Sequence, residues 1–128
     1  MHDQPVTASE NLSRFILDKS YFRSSDLRVK FNAFLPARDG ELSVFRIDTL
    51  NTGDILELGR TFVAAPRNKT LLGFARLKAE IPIASGLRLD GTEFPHPRHA
   101  NISNWPGGTE DRLIAMKLAE SASLNLAE

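Results

Sequence analysis

The sequence predicts a single α+β domain, with an antiparallel or mixed sheet packed against two helices. Three observations predict it. Segments 28–35 and 71–81 alternate apolar and polar residues, the period of a half-buried strand. Segments 52–65 and 109–124 space their apolar residues for one helical face. Turn-forming glycines and prolines punctuate the chain between them. A length of 128 residues suits one core rather than two. Residues 1–11 are polar and read as a loose N-terminal arm, and residues 12–128 carry the domain.

Taken in order, Leu12–Leu17 is a short apolar run that fits a strand or one helical turn equally. Residues 18–27 read as loop. In segment 28–35, Val29, Phe31, Ala33 and Leu35 oppose Arg28, Lys30, Asn32 and Phe34. Asp39-Gly40 supplies a tight reversal. Leu42–Ile47 reads as the returning strand of an antiparallel hairpin. Thr52 is the expected N-cap of the next helix, with Asp54 suited to its dipole. Ile55, Leu58, Phe62 and Val63 form its apolar face, and Pro66 ends it. Pro82 places the end of the 71–81 strand at a sheet edge.

Residues 87–94 suggest a short hairpin turning at Asp90-Gly91. Segment 95–108 holds three of the seven prolines and reads as a stiff, irregular loop, neither helix nor central strand. Gly107-Gly108 allows a sharp turn into the last helix, for which Thr109 is the expected N-cap. Leu113, Ile114 and Leu118 are expected in its core.

Composition bounds the function. Hydrophobic residues make up 41% and charged residues 25%, the profile of a folded globular chain. Sixteen basic residues balance sixteen acidic ones, which disfavours extensive nucleic-acid contact. The chain has no cysteine, which excludes disulfides, thiolate nucleophiles and cysteine-based metal centres. No apolar stretch approaches a membrane span and the N-terminus lacks signal-peptide character, so a cytoplasmic protein is expected. Phosphate-loop, dinucleotide-binding and nucleophile-elbow motifs are missing from the sequence. No cofactor is expected.

The residues that could carry chemistry concentrate in segment 95–107. It holds two of the three histidines and the only tryptophan. His96-x-x-His99 has a spacing that could serve a metal, but Pro97 separates the pair and His2 lies in the arm. Zinc would need Asp90 or Glu93 to complete its ligands, so no metal site is expected. Arg98-His99-x-Asn101 offers a fork for phosphate or carboxylate, a general acid or base, and an orienting amide. The same three residues also suit structural roles in a turn. Arg28, Lys30 and Asn32 would project from one strand face, joined by Arg76 and Lys78 on another. Arg46 interrupts the apolar run Val44–Ile47, so it needs a carboxylate partner or a ligand. Trp105 could stack on a ligand, anchor a partner or plug the core, and in so small a domain the plug is the better fit.

Arg28-Val-Lys30, Ala33-Phe-Leu-Pro36, Ser43-Val-Phe-Arg46 and Arg98-His-Ala-Asn-Ile102 with Trp105-Pro106 resemble segments of a group of small uncharacterised bacterial and mobile-element proteins. The resemblance covers residues 12–123 and implies a bacterial or phage setting, with no activity attached.

The function expected is binding of an anionic or phosphate-bearing small molecule between a basic sheet face and the 95–107 loop. Arg28, Lys30, Arg46, Arg98, Asn101 and Trp105 would line that site, with His99 as acid or base. The alternative is a non-catalytic interaction module of a larger complex, its partner a protein that docks on Trp105. The oligomeric state is not encoded in any motif.

Overall fold

A computed structural model describes residues 5–92 and 94–127; His2 and Glu93 lie outside them. The fold is α+β. Its sheet has six strands: β1 (Asn11–Ile16), β4 (Leu42–Arg46), β5 (Gly73–Lys78), β6 (Arg88–Gly91), β7 (His99–Ser103) and β8 (Ser123–Leu126). Their order is β6-β7-β4-β1-β5-β8, and every pairing is antiparallel. A two-stranded ribbon, β2 (Phe22–Arg23) with β3 (Arg28–Val29), stands apart. The helices are α1 (Thr52–Gly59), α2 (Glu80–Ala84) and α3 (Gly108–Ser121).

Both sheet faces are covered, which is why β1 mixes apolar residues on both sides. On one face Leu12, Ile16, Val44, Ala75, Leu77, Ala100 and Ile102 pack with Ala115 and Leu118 of α3 and with Ala33 and Phe34. On the other, Phe15, Phe45 and Phe74 meet Ile55 and Leu58 of α1 and Ala64 beyond it. Phe15 and Phe45 meet edge to face with centroids 5.4 Å apart, a favoured aromatic geometry.

The 28–35 strand is not formed. Only Arg28–Val29 pairs as a strand, and Phe31–Phe34 coils into a 3-10 turn. The reason lies in Ala33 and Phe34, adjacent residues that are both fully buried. A strand would send them to opposite faces, whereas a tight turn brings both inward. The predicted hairpin with 42–47 is therefore absent, and β4 pairs with β1 and β7.

The first helix is capped by Asn51, whose Oδ1 accepts the Asp54 N–H at 2.8 Å, and not by Thr52. It runs on through a π turn at Arg60–Ala64 and a 3-10 turn at Ala65–Arg67. Pro66 sits near the start of that last turn, where a missing N–H costs nothing. Pro82 lies inside α2, and β5 is interior because β8 covers it. Gly108, preceded by Gly107 with φ +97°, opens α3 without a side-chain cap, so Thr109 is not the cap. Leu113 points outward and is 64% exposed, since the buried stripe of α3 follows Ala115, Leu118 and Ala119.

The 95–107 segment is not a loop throughout. Residues 99–103 contain no proline, and Ala100 and Ile102 alternate inward, so they form β7 between β6 and β4. Pro95, Pro97 and Pro106 only flank it. Asp90 and Gly91 are likewise strand residues opposite Asn101 and Ala100, not a turn. Residues 8–11 of the expected arm are tied down: Ala8 and Glu10 accept the Glu80 and Ala79 N–H groups at 2.9 Å, and Asn11 already belongs to β1.

Candidate functional site

The sheet opens between β1 and β4. Their ladder comprises Leu12 opposite Arg46 and Ser13 opposite Phe45. The register would next bring Arg14 opposite Val44 and then Phe15 opposite Ser43, but there β1 continues only with β5 and β4 only with β7. The Ser43 carbonyl is taken instead by a side chain, Arg14, whose Nη1 donates to it at 3.0 Å. Arg14 Nε donates to the Ala33 carbonyl at 2.9 Å. A guanidinium thus fills the fork where the two strands part.

A cavity of about 300 Å³ occupies this fork. Arg14, Phe15 and Leu17 line it from the β1 side, Ser43 and Phe45 from β4, and His99 from β7. Phe62, Val63, Arg67 and Lys69 roof it, and Asp18, Tyr21 and Pro95 close its rim. A second lobe of about 690 Å³ shares Arg14, Tyr21, Ser43, Arg67, Pro95 and His99, and extends past Asn32, Asp39, Glu41 and Asn101. The two lobes meet at Arg14, Ser43 and His99.

At that junction three side chains form a chain of hydrogen bonds. Thr92 Oγ1 has a single proton. With that proton assigned to a carbonyl, the Phe94 one at 2.8 Å or the His99 one at 3.4 Å, Oγ1 accepts from His99 Nδ1, 2.7 Å away. That bonding fixes the proton on Nδ1 and leaves Nε2 as an acceptor. Ser43 Oγ lies 2.7 Å from Nε2 and donates its proton there. His99 is only 6% exposed and meets the Phe45 ring edge to face. Burial holds its pKa below the ordinary histidine value, so the ring is neutral near pH 7.

The electrostatics of the smaller lobe are cationic. Arg14, Arg67 and Lys69 face Asp18 alone among its lining carboxylates. Asp18 accepts the Ser20 N–H at 2.8 Å, and its charge also acts on Lys69, so the cations outnumber it three to one. None of the ion pairs among the described residues includes Arg14, Arg67 or Lys69. Burial lowers the Arg14 pKa, and the nearby charge of Arg67 lowers it further. The larger lobe adds Asp39 and Glu41 at its far end.

Of the residues singled out in the sequence, His99 and Asn101 line this cleft. Arg98 adjoins it but serves the backbone, donating to the Arg46 and Asp48 carbonyls at 3.2 and 3.0 Å and to Thr49 Oγ1 at 3.3 Å. Arg46 forms a two-pronged ion pair with Glu10. Arg28 is exposed beside Asp26, and exposed Lys30 precedes the 3-10 turn, so neither reaches the cleft. Trp105 is half-buried on the α3 side and donates from Nε1 to the Ile102 carbonyl at 3.0 Å. His96 meets Phe62 edge to face and accepts the Arg98 N–H through Nδ1. Both ring nitrogens of His99 are engaged by hydroxyls, so the two imidazoles do not converge on an ion. Among the described residues no cluster suited to a metal occurs.

Arg14, Ser43, Arg67 and Lys69 were not singled out by their sequence context. For Arg14 a signal existed: it interrupts the apolar run Leu12–Leu17 as Arg46 interrupts its own. Ser43 carries none, since a serine in a strand is ordinary. No family model, curated protein or solved structure matches the chain.

Proposed function

We propose that the protein binds an anionic, phosphate-bearing small molecule in the fork between β1 and β4, next to a Ser43–His99 pair able to move a proton. The observation that carries this reading is the state of Arg14. Its guanidinium is part-buried at the cavity wall and hydrogen-bonds only to neutral carbonyls, at 2.9 and 3.0 Å. A desolvated cation without a counter-charge is costly, and an anion in the adjoining cavity supplies one. Arg67 and Lys69 add charge on the same side, and a planar guanidinium matches phosphate geometry. His99, neutral through burial, is the acid or base of the site.

The site of this reading differs from a basic sheet face. Its cations come from β1 and from the turns after α1, not from Arg28, Lys30 or Arg46. The test is a thermal-shift series with inorganic phosphate, pyrophosphate and a nucleoside monophosphate, against the uncharged nucleoside. The phosphates should raise the melting temperature progressively with the logarithm of their concentration once it exceeds Kd, and the nucleoside should not. Equal response to charged and uncharged compounds would count against the reading.

A further inference from the structure

We propose that Ser43 is a nucleophile that attacks the phosphorus of a phosphodiester, an inference that rests on the anion-binding reading above. Ser43 is the hydroxyl at the cleft whose proton points at a base. Its Oγ–H donates to His99 Nε2 at 2.7 Å, whereas the Thr92 proton is spent on a backbone carbonyl. Thr92 in turn accepts from Nδ1–H, which holds the ring in the tautomer that can receive the Ser43 proton.

Charge selects phosphorus over a carboxylic ester. A neutral ester carbonyl gives three cations little to bind, while a phosphodiester carries its charge on the reacting centre. Arg14 donates to the backbone carbonyl of Ser43 and lines both lobes together with it, so its charge acts on the same cleft. Shape selects a diester. The two lobes, about 300 and 690 Å³, share Arg14, Ser43 and His99 and otherwise have different walls, which offers a place for each of the two substituents of the phosphorus.

In the first step the Ser43 Oγ–P bond forms and the bond from phosphorus to one ester oxygen breaks. The Ser43 proton passes to His99 Nε2 and then to the departing oxygen, which leaves as an alcohol. In the second step water attacks the Ser43-bound phosphorus and gives a proton to His99. The Oγ–P bond breaks, and His99 returns the proton to Ser43. The sum is a phosphodiester and water giving a phosphomonoester and an alcohol, with no oxidant or reductant.

The probe is bis(4-nitrophenyl) phosphate, an anionic diester. The wild-type protein should release 4-nitrophenolate, and rapid acid quenching should trap a 4-nitrophenyl phosphoryl adduct on the peptide containing Ser43. Ser43→Ala should lower release by about 100-fold or more, the range of a lost proton-transfer or nucleophilic group. Mapping the adduct in the wild type keeps the test valid if that variant fails to fold. No Ser43-dependent release, or an adduct on another residue, overturns the inference. Acylation of Ser43 by 4-nitrophenyl acetate with no reaction of the diester also overturns it, in favour of acyl transfer. Inorganic phosphate titrated into the same wild-type protein separates the two readings. Binding without Ser43 chemistry sinks the nucleophile alone, and absence of binding sinks the anion site.

Discussion

The Arg46 guanidinium grips the Glu10 carboxylate with two parallel bonds, Nε to Oε1 and Nη2 to Oε2, each 2.8 Å. The pair pins the segment before β1 to the last residue of β4. Its side chains are only 15% and 13% exposed. Burial tends to raise the Glu10 carboxyl, but the Arg46 hydrogen bonds, the Thr7 N–H and the Arg46 charge outweigh it and hold it below the usual carboxylate value. A charge-bearing residue in an apolar strand is thus satisfied structurally.

Arg46→Met strands Glu10 and should destabilise the fold by about 3 kcal/mol, the lower end for breaking a buried pair, because this pair keeps some contact with water. Adding Glu10→Gln should restore part of the loss. Urea melts of the two single variants and the double variant check this. Additive losses would show that the pair is not coupled.

Gly59 sets two effects against each other. Alanine gains about 1 kcal/mol over glycine within a helix. A Cβ at Gly59 would stand 2.5 Å from two carbons of the Phe15 ring, which is itself held between Phe45 and Phe74. Overpacking at such a contact costs about 1–3 kcal/mol, so Gly59→Ala should lower the melting temperature. A rise would mean the α1–sheet contact is looser than the structure indicates.

Stability should fall as the solution is acidified from pH 7.5 to 5. Burial holds His99 below its ordinary value, and burial with the Arg98 charge does the same for His96. The unfolded chain then takes up protons near pH ~6.5 that the folded protein resists, so stability is full above that pH and is lost below it. The Glu10 contribution fades only at lower pH, as its depressed folded-state pKa is approached. Melting temperatures across this range should slope downward toward acid, and less steeply in His99→Gln. A flat profile would contradict the buried, neutral imidazole.

Trp105 gives an optical check on the strand that carries His99. Its indole is half-buried and bonded to the Ile102 carbonyl, so emission should be intermediate and iodide quenching partial. Trp105→Ala should cost less than the ~3–5 kcal/mol of a fully buried indole. A fully water-exposed spectrum would place the residue off the sheet.

Much of the sheet was legible from alternation alone. Leu42–Ile47 and the centre of 71–81 are strands because their apolar residues meet a buried face. The 28–35 segment misled because alternation in composition does not show that Ala33 and Phe34 are buried together. β7 was hidden by its flanking prolines, whose effect stops short of residues 99–103. β8 is four residues long and too short to show a period. His99 stood out by type and neighbourhood. Arg14, by contrast, is functional in this account only because β1 and β4 part beside it, and strand divergence is a property of pairing over long sequence distances. Pairing, not local pattern, brings residues 14, 43, 67 and 99 to one cleft.

Arg14 should anchor a bound phosphate. Isothermal titration of inorganic phosphate into the wild type, Arg14→Gln and Arg67→Gln tests it most directly. The account predicts one saturable site in the wild type, weakened by added sodium chloride. Loss of the guanidinium fork at Arg14 should cost about tenfold or more in affinity, roughly the 1.5–3 kcal/mol of a charged hydrogen bond. Arg67→Gln, an exposed residue whose Nη1 bonds only to the Val63 carbonyl of its own turn, should give a smaller loss without disturbing the fold. Phosphate binding of equal strength in all three proteins, or none in the wild type, would contradict the account.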